Sequence, residues 1–219
     1  MVFVITIDGP AGAGKSSVAK RLAKRLGIRY LDTGAIYRAI AYSLDKQGIP
    51  PTAEEELSKH LASMRVRIDV ECVFVDGQDV TDSIRSHHID RIVSSYAALK
   101  IVRDALLDLQ REQTKYGSLV VEGRDAGSVV FPEADLKFYL TASPEARAER
   151  RYKELLKRGE AVIYKDVLSQ MHERDRIDSS REVAPLREPA GAIHIDTSLM
   201  AEGEVVNELA FIVQSRMRQ

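Results

Sequence analysis

The stretch GPAGAGKSS at 9–17 follows an apolar run from Val2 to Ile7 and precedes a segment in which Val18, Ala19, Leu22, Ala23 and Leu26 share one helical face. Gly9, four intervening residues, Gly14, Lys15 and Ser16 satisfy the spacing G-x-x-x-x-G-K-[ST]. A strand, a glycine-rich turn and a helix in this order predict a turn whose backbone N–H groups curl around phosphate oxygens, where larger side chains would block the approach. The helix that follows points its positive end at the same phosphates. Gly9, Pro10, Ala11, Gly12, Ala13, Gly14, Lys15, Ser16 and Ser17 are therefore the expected phosphate-binding residues. Among them Lys15 supplies a mobile charge for the outer phosphates of a nucleoside triphosphate, and the Ser16 hydroxyl is suited to magnesium. Ser17 says less, because a second serine here also serves to cap or bond a nearby backbone group.

The alternation of strand and helix recurs. Ile28 to Leu31, Leu119 to Val121, Leu136 to Leu140 and Ala192 to Ile195 are further short apolar runs, each followed by a polar or glycine-containing turn. Strands separated by helices predict an α/β fold with a parallel sheet covered on both faces. Ser143-Pro144 marks the start of an arginine-rich helix and Gly159 its stop. Val205, Val206, Leu209, Ile212 and Val213 give a closing amphipathic helix. The middle departs from this rhythm. Gly48, Pro50 and Pro51 end one helix, and Thr52 with Glu55 forms a capping-box start for the next, which carries Leu57, Leu61 and Met64. Val66, Ile68 and Val70 then alternate with Arg67, Asp69 and Glu71, and Val73 to Val75 lead into Asp76-Gly77. That pattern predicts a small antiparallel sheet inserted into the main fold. No repeat or low-complexity linker divides the chain, so one domain with an insertion is expected over the 219 residues.

With 32 basic and 33 acidic residues the net charge is -1, which gives no overall electrostatic case for nucleic acid or an anionic membrane as partner. Local clusters must bind any anion. The one cysteine, Cys72, leaves no internal disulfide, and the histidines show no zinc-type spacing, so a reducing cytoplasm is the expected location. The N-terminal apolar run is too short for a signal-peptide core, and no run approaches the roughly 20 apolar residues of a membrane span.

A phosphate-binding turn suits a small-molecule kinase, a nucleotide-dependent switch or a motor. A guanine-specific switch would usually carry N-K-x-D, but the one asparagine, Asn207, lies outside such a motif. A motor generally places an acidic pair after a strand to activate water, whereas Glu122 here runs into Gly123-Arg124-Asp125. An arginine at that strand end suits an anionic acceptor better than water. Arg147, Arg150, Arg151 and Arg158, followed by Arg174, Arg176 and Arg181, point the same way. Phosphoryl transfer needs cations that close over the reacting group and exclude water, and a mobile lid over about 151–178 would supply them. The alternative for any one of these arginines is a solvated helical face paired with Glu145, Glu149 and Glu154.

The motifs DTGAIYR (32–38), VR (102–103), EGRDAGSVVFP (122–132), ARAERR (146–151) and RDRIDSSREVAPL (174–186) stand in the order, and over nearly the whole length, of the bacterial cytidylate kinases, and the chain resembles that family. The resemblance implies a P-loop NTPase fold with a parallel five-stranded sheet covered by helices. In it a core of about 1–32 and 117–219 carries an enlarged nucleoside-monophosphate-binding insertion, about 33–100, with the small antiparallel sheet, and a short mobile lid. It also implies transfer of the γ-phosphoryl of ATP to CMP or dCMP, giving CDP or dCDP, with magnesium and in a monomer.

Under the resemblance, Arg38 and Arg124 clamp the acceptor's phosphate and Thr33 adds a hydroxyl near the same nucleotide. Ser95, Arg103 and Asp125 read the cytosine: Asp125 accepts from the exocyclic amino group while Arg103 donates to the ring's acceptor edge. A uracil carbonyl facing that carboxylate would oppose two acceptors, so UMP is disfavoured. Asp178 and Arg181 contact pentose and phosphate. Lys15, Arg151, Arg174 and Arg181 form the catalytic set on the transferring phosphoryl, with Arg150 as a further candidate. Ile177 stands where some members carry another arginine, so the lid charge here is distributed differently. Several positions keep a second reading. Asp125 also suits an ion pair with Arg124 or a lid arginine, and Ser94 or Ser95 a helix cap. Asp32 suits either a water-mediated magnesium contact or the cap of a helix starting near Ala35. Asp196-Thr197-Ser198 suits either a loop at the ATP base or a cap. Two other functions fit the same turn: a P-loop kinase for a different small acceptor, and a nucleotide-binding regulator with slow ATPase activity.

Overall fold

The computed structural model describes residues 2–69 and 72–217. β1 (Val4–Asp8) leads through the glycine-rich turn into α1 (Lys15–Leu26), and β2 (Arg29–Asp32) leads directly into α2 (Thr33–Lys46). Next come α3 (Glu54–Ser63), the short strands β3 (Val66–Asp69), β4 (Cys72–Val75) and β5 (Gln78–Asp79), α4 (His87–Ala97) and α5 (Lys100–Arg111). The chain then returns to the main sheet at β6 (Leu119–Gly123) and β7 (Leu136–Thr141). The helical pair α6 (Pro144–Lys157) and α7 (Tyr164–Ser180), then β8 (Ile193–Asp196) and α8 (Glu202–Met217), complete it. The five main strands lie in the order β2-β6-β1-β7-β8, and every neighbouring pair is parallel. Parallel neighbours need crossovers, and these place helices on both faces. On one face Val18 and Leu22 of α1 and Val205, Leu209 and Val213 of α8 pack on Ile5, Ile7, Val120 and Phe138. On the other, Ile36, Ile40 and Leu44 of α2, Val93 of α4, and Val102 and Leu106 of α5 pack on Leu31, Leu119 and Val121. Each such fully buried side chain contributes about 1.5–3 kcal/mol.

The expected strands are present, displaced towards their C-terminal ends. β1 begins at Val4, two residues after the start of the apolar run, and the strands continue past their apolar residues to Asp8, Asp32, Gly123, Thr141 and Asp196. The inserted antiparallel sheet has the order β3-β4-β5. Asp76 and Gly77 join its second and third strands, both with positive φ (48° and 82°), as a tight hairpin requires. Val70 and Glu71, assigned above to its alternating strand, lie outside the described residues. The capping box at Thr52 and Glu55 does not form. The Ala53 N–H closes a turn onto the Pro50 carbonyl (3.1 Å), which takes Thr52 into the turn, and α3 starts at Glu54 with no side-chain cap. Glu54, Glu55 and Glu56 in its first turn favour the positive helix end instead. At the other candidate start, the Ser143 hydroxyl accepts from the Ala146 N–H (3.2 Å) and caps α6. The arginine-bearing segment after Arg151 comprises the end of α6, a connection over 158–163 and most of α7.

Candidate active site

The C-terminal ends of β1, β2 and β6 lie side by side, and the residues that follow them build one cleft. In the glycine-rich turn, Gly9, Gly12 and Gly14 adopt φ of 145°, 74° and 90°. A Cβ on Gly9 would also collide with the Leu140 carbonyl. The turn hands over to α1 without a side-chain cap, so the first N–H groups of the helix stay open to an anion. Lys15 is buried and its Nζ donates to the Pro10 carbonyl (2.8 Å). Burial first, then the nearby Arg124 guanidinium, pushes its ammonium down to about 7. Ser16 Oγ donates to Glu122 Oε1 (2.6 Å), while Ser17, exposed, donates to the Gly14 carbonyl (3.1 Å).

Carboxylates line the strand ends. Burial, reinforced by Asp32, pushes Glu122 up to about 7. Asp8, fully buried, accepts from the N–H groups of Ala126 (2.7 Å) and Gly127 (2.7 Å), and burial outweighs those bonds to raise it to about 6. Asp32 caps α2, accepting from the Ala35 N–H (2.8 Å), and Thr33 Oγ1 donates to the Glu122 carbonyl (2.7 Å).

Opposite the turn, arginines are gathered around three aspartates. Arg38 Nε donates to Asp90 (3.0 Å), and Arg151 reaches the other oxygen of the same carboxylate. Arg124 Nε donates to Asp178 (2.9 Å). Arg103 and Arg181 each take one oxygen of Asp125, the latter at 3.3 Å, so Asp125 is paired with these two rather than with Arg124. Arg103 also donates to the Ala97 carbonyl (3.1 Å) and lies over the Tyr37 ring. Despite burial, the arginines hold Asp90 and Asp178 below the usual carboxylate range. Arg174 is the exception in this group: its buried Nε has no hydrogen-bond partner. Burial, then repulsion from Arg124, lowers it to about 10.

Ser95 is not brought to this group. Its side chain is exposed on α4, whereas Ser94 is buried and lies one helical turn before Ala97, whose carbonyl holds Arg103. The helical face thus buries Ser94 and turns Ser95 to solvent. The lid arginines divide in the same way. Arg158 and Arg176 make surface pairs with Glu154 and Glu173. Arg147, buried, donates to the Ala11 carbonyl (3.0 Å) and pairs with Asp175 (2.7 Å), and Arg150 donates to Thr197 Oγ1 (3.0 Å), which itself donates to the Ala13 carbonyl (3.1 Å). These two hold the glycine-rich turn from behind. Asp8, Asp90 and Ser94 were not selected from the sequence, and only Asp8, a lone acid ending an apolar run, carried a local signal.

The arrangement can bind two phosphorylated groups, one in the turn and one between Arg38 and Arg124. A family model described as cytidylate kinase matches residues 5–215. The chain belongs to the cytidylate kinase family. Among its relatives in that family, a cytidylate kinase from Thermotoga neapolitana is 44% identical over all of both chains. One from Clostridium tetani is 42% identical over 98% of this chain and 95% of its own. Solved structures show likeness of fold alone. An uncharacterized protein from Eubacterium ventriosum has a TM-score of 0.54 at 13% identity, covering 98% of this chain and 99% of its own. A Thermus thermophilus protein designated TT1252 has a TM-score of 0.51 at 18% identity, covering 98% and 97%.

Proposed function

We propose that this cytidylate kinase family member transfers the γ-phosphoryl of ATP directly to CMP and dCMP, giving CDP and dCDP. The observation that carries the reading is the unpartnered guanidinium edge buried near the glycine-rich turn: Arg174 Nε has no hydrogen-bond partner. Lys15 and Arg174 are both pushed below their ordinary values, by burial first and then by repulsion from Arg124. A polyphosphate relieves that repulsion, and two phosphorylated ligands do so on both sides of Lys15.

The turn and the α1 N-terminus hold the ATP phosphates, and Lys15 exchanges the Pro10 carbonyl for a phosphate oxygen. Arg38 and Arg124 orient the acceptor's phosphate; its oxygen, already largely ionised at neutral pH, attacks in line, so no side chain need act as general base. Arg151, Arg174 and Arg181 meet the charge that spreads over the transferring group. Arg103 and Asp125 read the base, with Ser94 on the buried face of α4. Asp178 and Arg181 reach the pentose and phosphate. The chain's residues also fit magnesium: Ser16 Oγ stands 2.6 Å from Glu122, whose carboxyl is pushed up by burial first and then by Asp32, so a dication would settle two neighbouring acids. Magnesium, when bound, offsets charge on the nucleotide phosphates, with Ser16 as its direct contact. Segment 33–100 serves as the acceptor-binding part and 151–178 as a closing lid, in a cytoplasmic monomer; no helix among the described residues is long and apolar enough to cross a membrane. The test is ADP release from ATP with CMP, dCMP, UMP, AMP or shikimate supplied singly. Release stimulated by CMP and dCMP above the others is expected; release indifferent to every acceptor would contradict the reading.

A further inference from the structure

The contact between the lid hairpin and the insertion runs through few groups. Arg158 donates to the Arg85 carbonyl (3.0 Å), and His87 meets Gln170 (3.1 Å) at the rim. Deeper in, Asp90 on α4 stands between Arg38 on α2 and Arg151 on α6, its side chain only 11% exposed. The carboxylate gives one oxygen to each arginine. Arg38 spends its Nε there, so that edge is fixed while its terminal nitrogens remain for a phosphate. Arg151 is held at both ends, by Asp90 and by Glu154 (2.8 Å). One carboxylate thus ties a cation assigned to the acceptor's phosphate to a cation assigned to the transferring phosphoryl, on two elements far apart in sequence, α2 and α6.

We infer that Asp90 is a positioning residue that locks Arg38 and Arg151 together, so that seating the acceptor and placing the lid arginine are one event. The inference rests on the kinase reading above. A planar fork gripped at Nε presents its other two nitrogens in a fixed direction, which is what bidentate phosphate binding needs. Without the grip, Arg38 must be ordered by the acceptor itself, and Arg151 loses the anchor that keeps it off the surface. Asp90 need not touch either nucleotide.

Asp90→Asn keeps the shape but turns an amide N–H₂ towards one of the two donors. The expected result is a KM for CMP raised about 10-fold and a kcat lowered about 10-fold, with a lowered Tm but KM for ATP within about twofold of the unmutated chain. Asp90→Glu restores the charge on a longer arm and should fall between the two. Unchanged KM for CMP and kcat in Asp90→Asn would overturn the inference, as would a lower KM for CMP, which would make Asp90 a competitor of the acceptor. Equal losses towards ATP and CMP would also overturn it, by showing a merely structural pair. If the unmutated chain shows no CMP-dependent turnover, the proposed function falls first and this inference with it; if it turns over and Asp90→Asn matches it, only the inference falls.

Discussion

At the residue scale, the surroundings of Lys15, the proposed cation for the transferring phosphoryl, predict how its loss will read. Its ammonium is buried against one carbonyl and pushed down to about 7, so it adds little to the stability of the empty protein while waiting for a phosphate. Lys15→Met should therefore lower kcat by about 10²- to 10³-fold or more, with Tm kept or slightly raised. Near-native turnover would remove Lys15 from the mechanism. Asp125 is the opposite case. It is the shared partner of two buried arginines, and Asp125→Ala would leave Arg103 and Arg181 without it. A stability loss of roughly 3–5 kcal/mol in urea unfolding is expected, together with a narrower CMP over UMP preference in the fraction that folds. An unchanged preference would place base recognition elsewhere. Lys15, Ser16, Arg38, Arg103, Arg124 and Asp125 could be singled out as candidates in the sequence because each sits in a short motif. Asp90 was not, because its importance arises from two arginines that only the folded chain brings to it.

At the scale of elements, the junction between β1 and the turn after β6 is tightly constrained. Gly127 packs so closely that an added Cβ would lie 2.5 Å from Thr6 Oγ1 and 3.1 Å from Asp8 Oδ2. Gly127→Ala should cost about 1–3 kcal/mol, measured by denaturant unfolding, because the strand and the turn cannot both keep their places. Asp8 at the same junction gives a pH signature. Burial raises its pKa from 3.8 in the unfolded chain to about 6 in the folded one. Its protonation thus favours the folded state: this contribution is complete below about pH 4 and lost as the pH rises through 6, amounting to roughly 3 kcal/mol at most. The stability difference between the unmutated chain and Asp8→Asn should shrink over that window, and a difference independent of pH would refute the assignment. The strands were legible as apolar runs, but their ends were not. Asp8, Asp32, Glu122 and Thr141 are strand residues whose polarity hid them from the hydrophobic pattern. The failed capping box has a different cause, since Thr52 was already committed to the turn closed by Pro50 and Ala53.

Over the whole molecule, the sheet order brings the turn after β1, the start of α2 after β2 and the Gly123–Asp125 segment after β6 to one edge, while α6 and α7 close over the turn from the other side. The repeated alternation of apolar runs was enough to predict a parallel sheet with helices on both faces. It could not show that α6 and its C-cap would bond to segment 85–90 through Arg151 with Asp90 and Arg158 with the Arg85 carbonyl, because those contacts join segments with no common pattern. The central claim is that phosphate held by GPAGAGKSS passes directly to a cytidine nucleotide. A single-turnover reaction with γ-labelled ATP and CMP, stopped at short times, tests it most directly. The account predicts label in the β-phosphate of CDP, with little free phosphate. Label appearing only in free phosphate, at a rate unaffected by CMP, would contradict it.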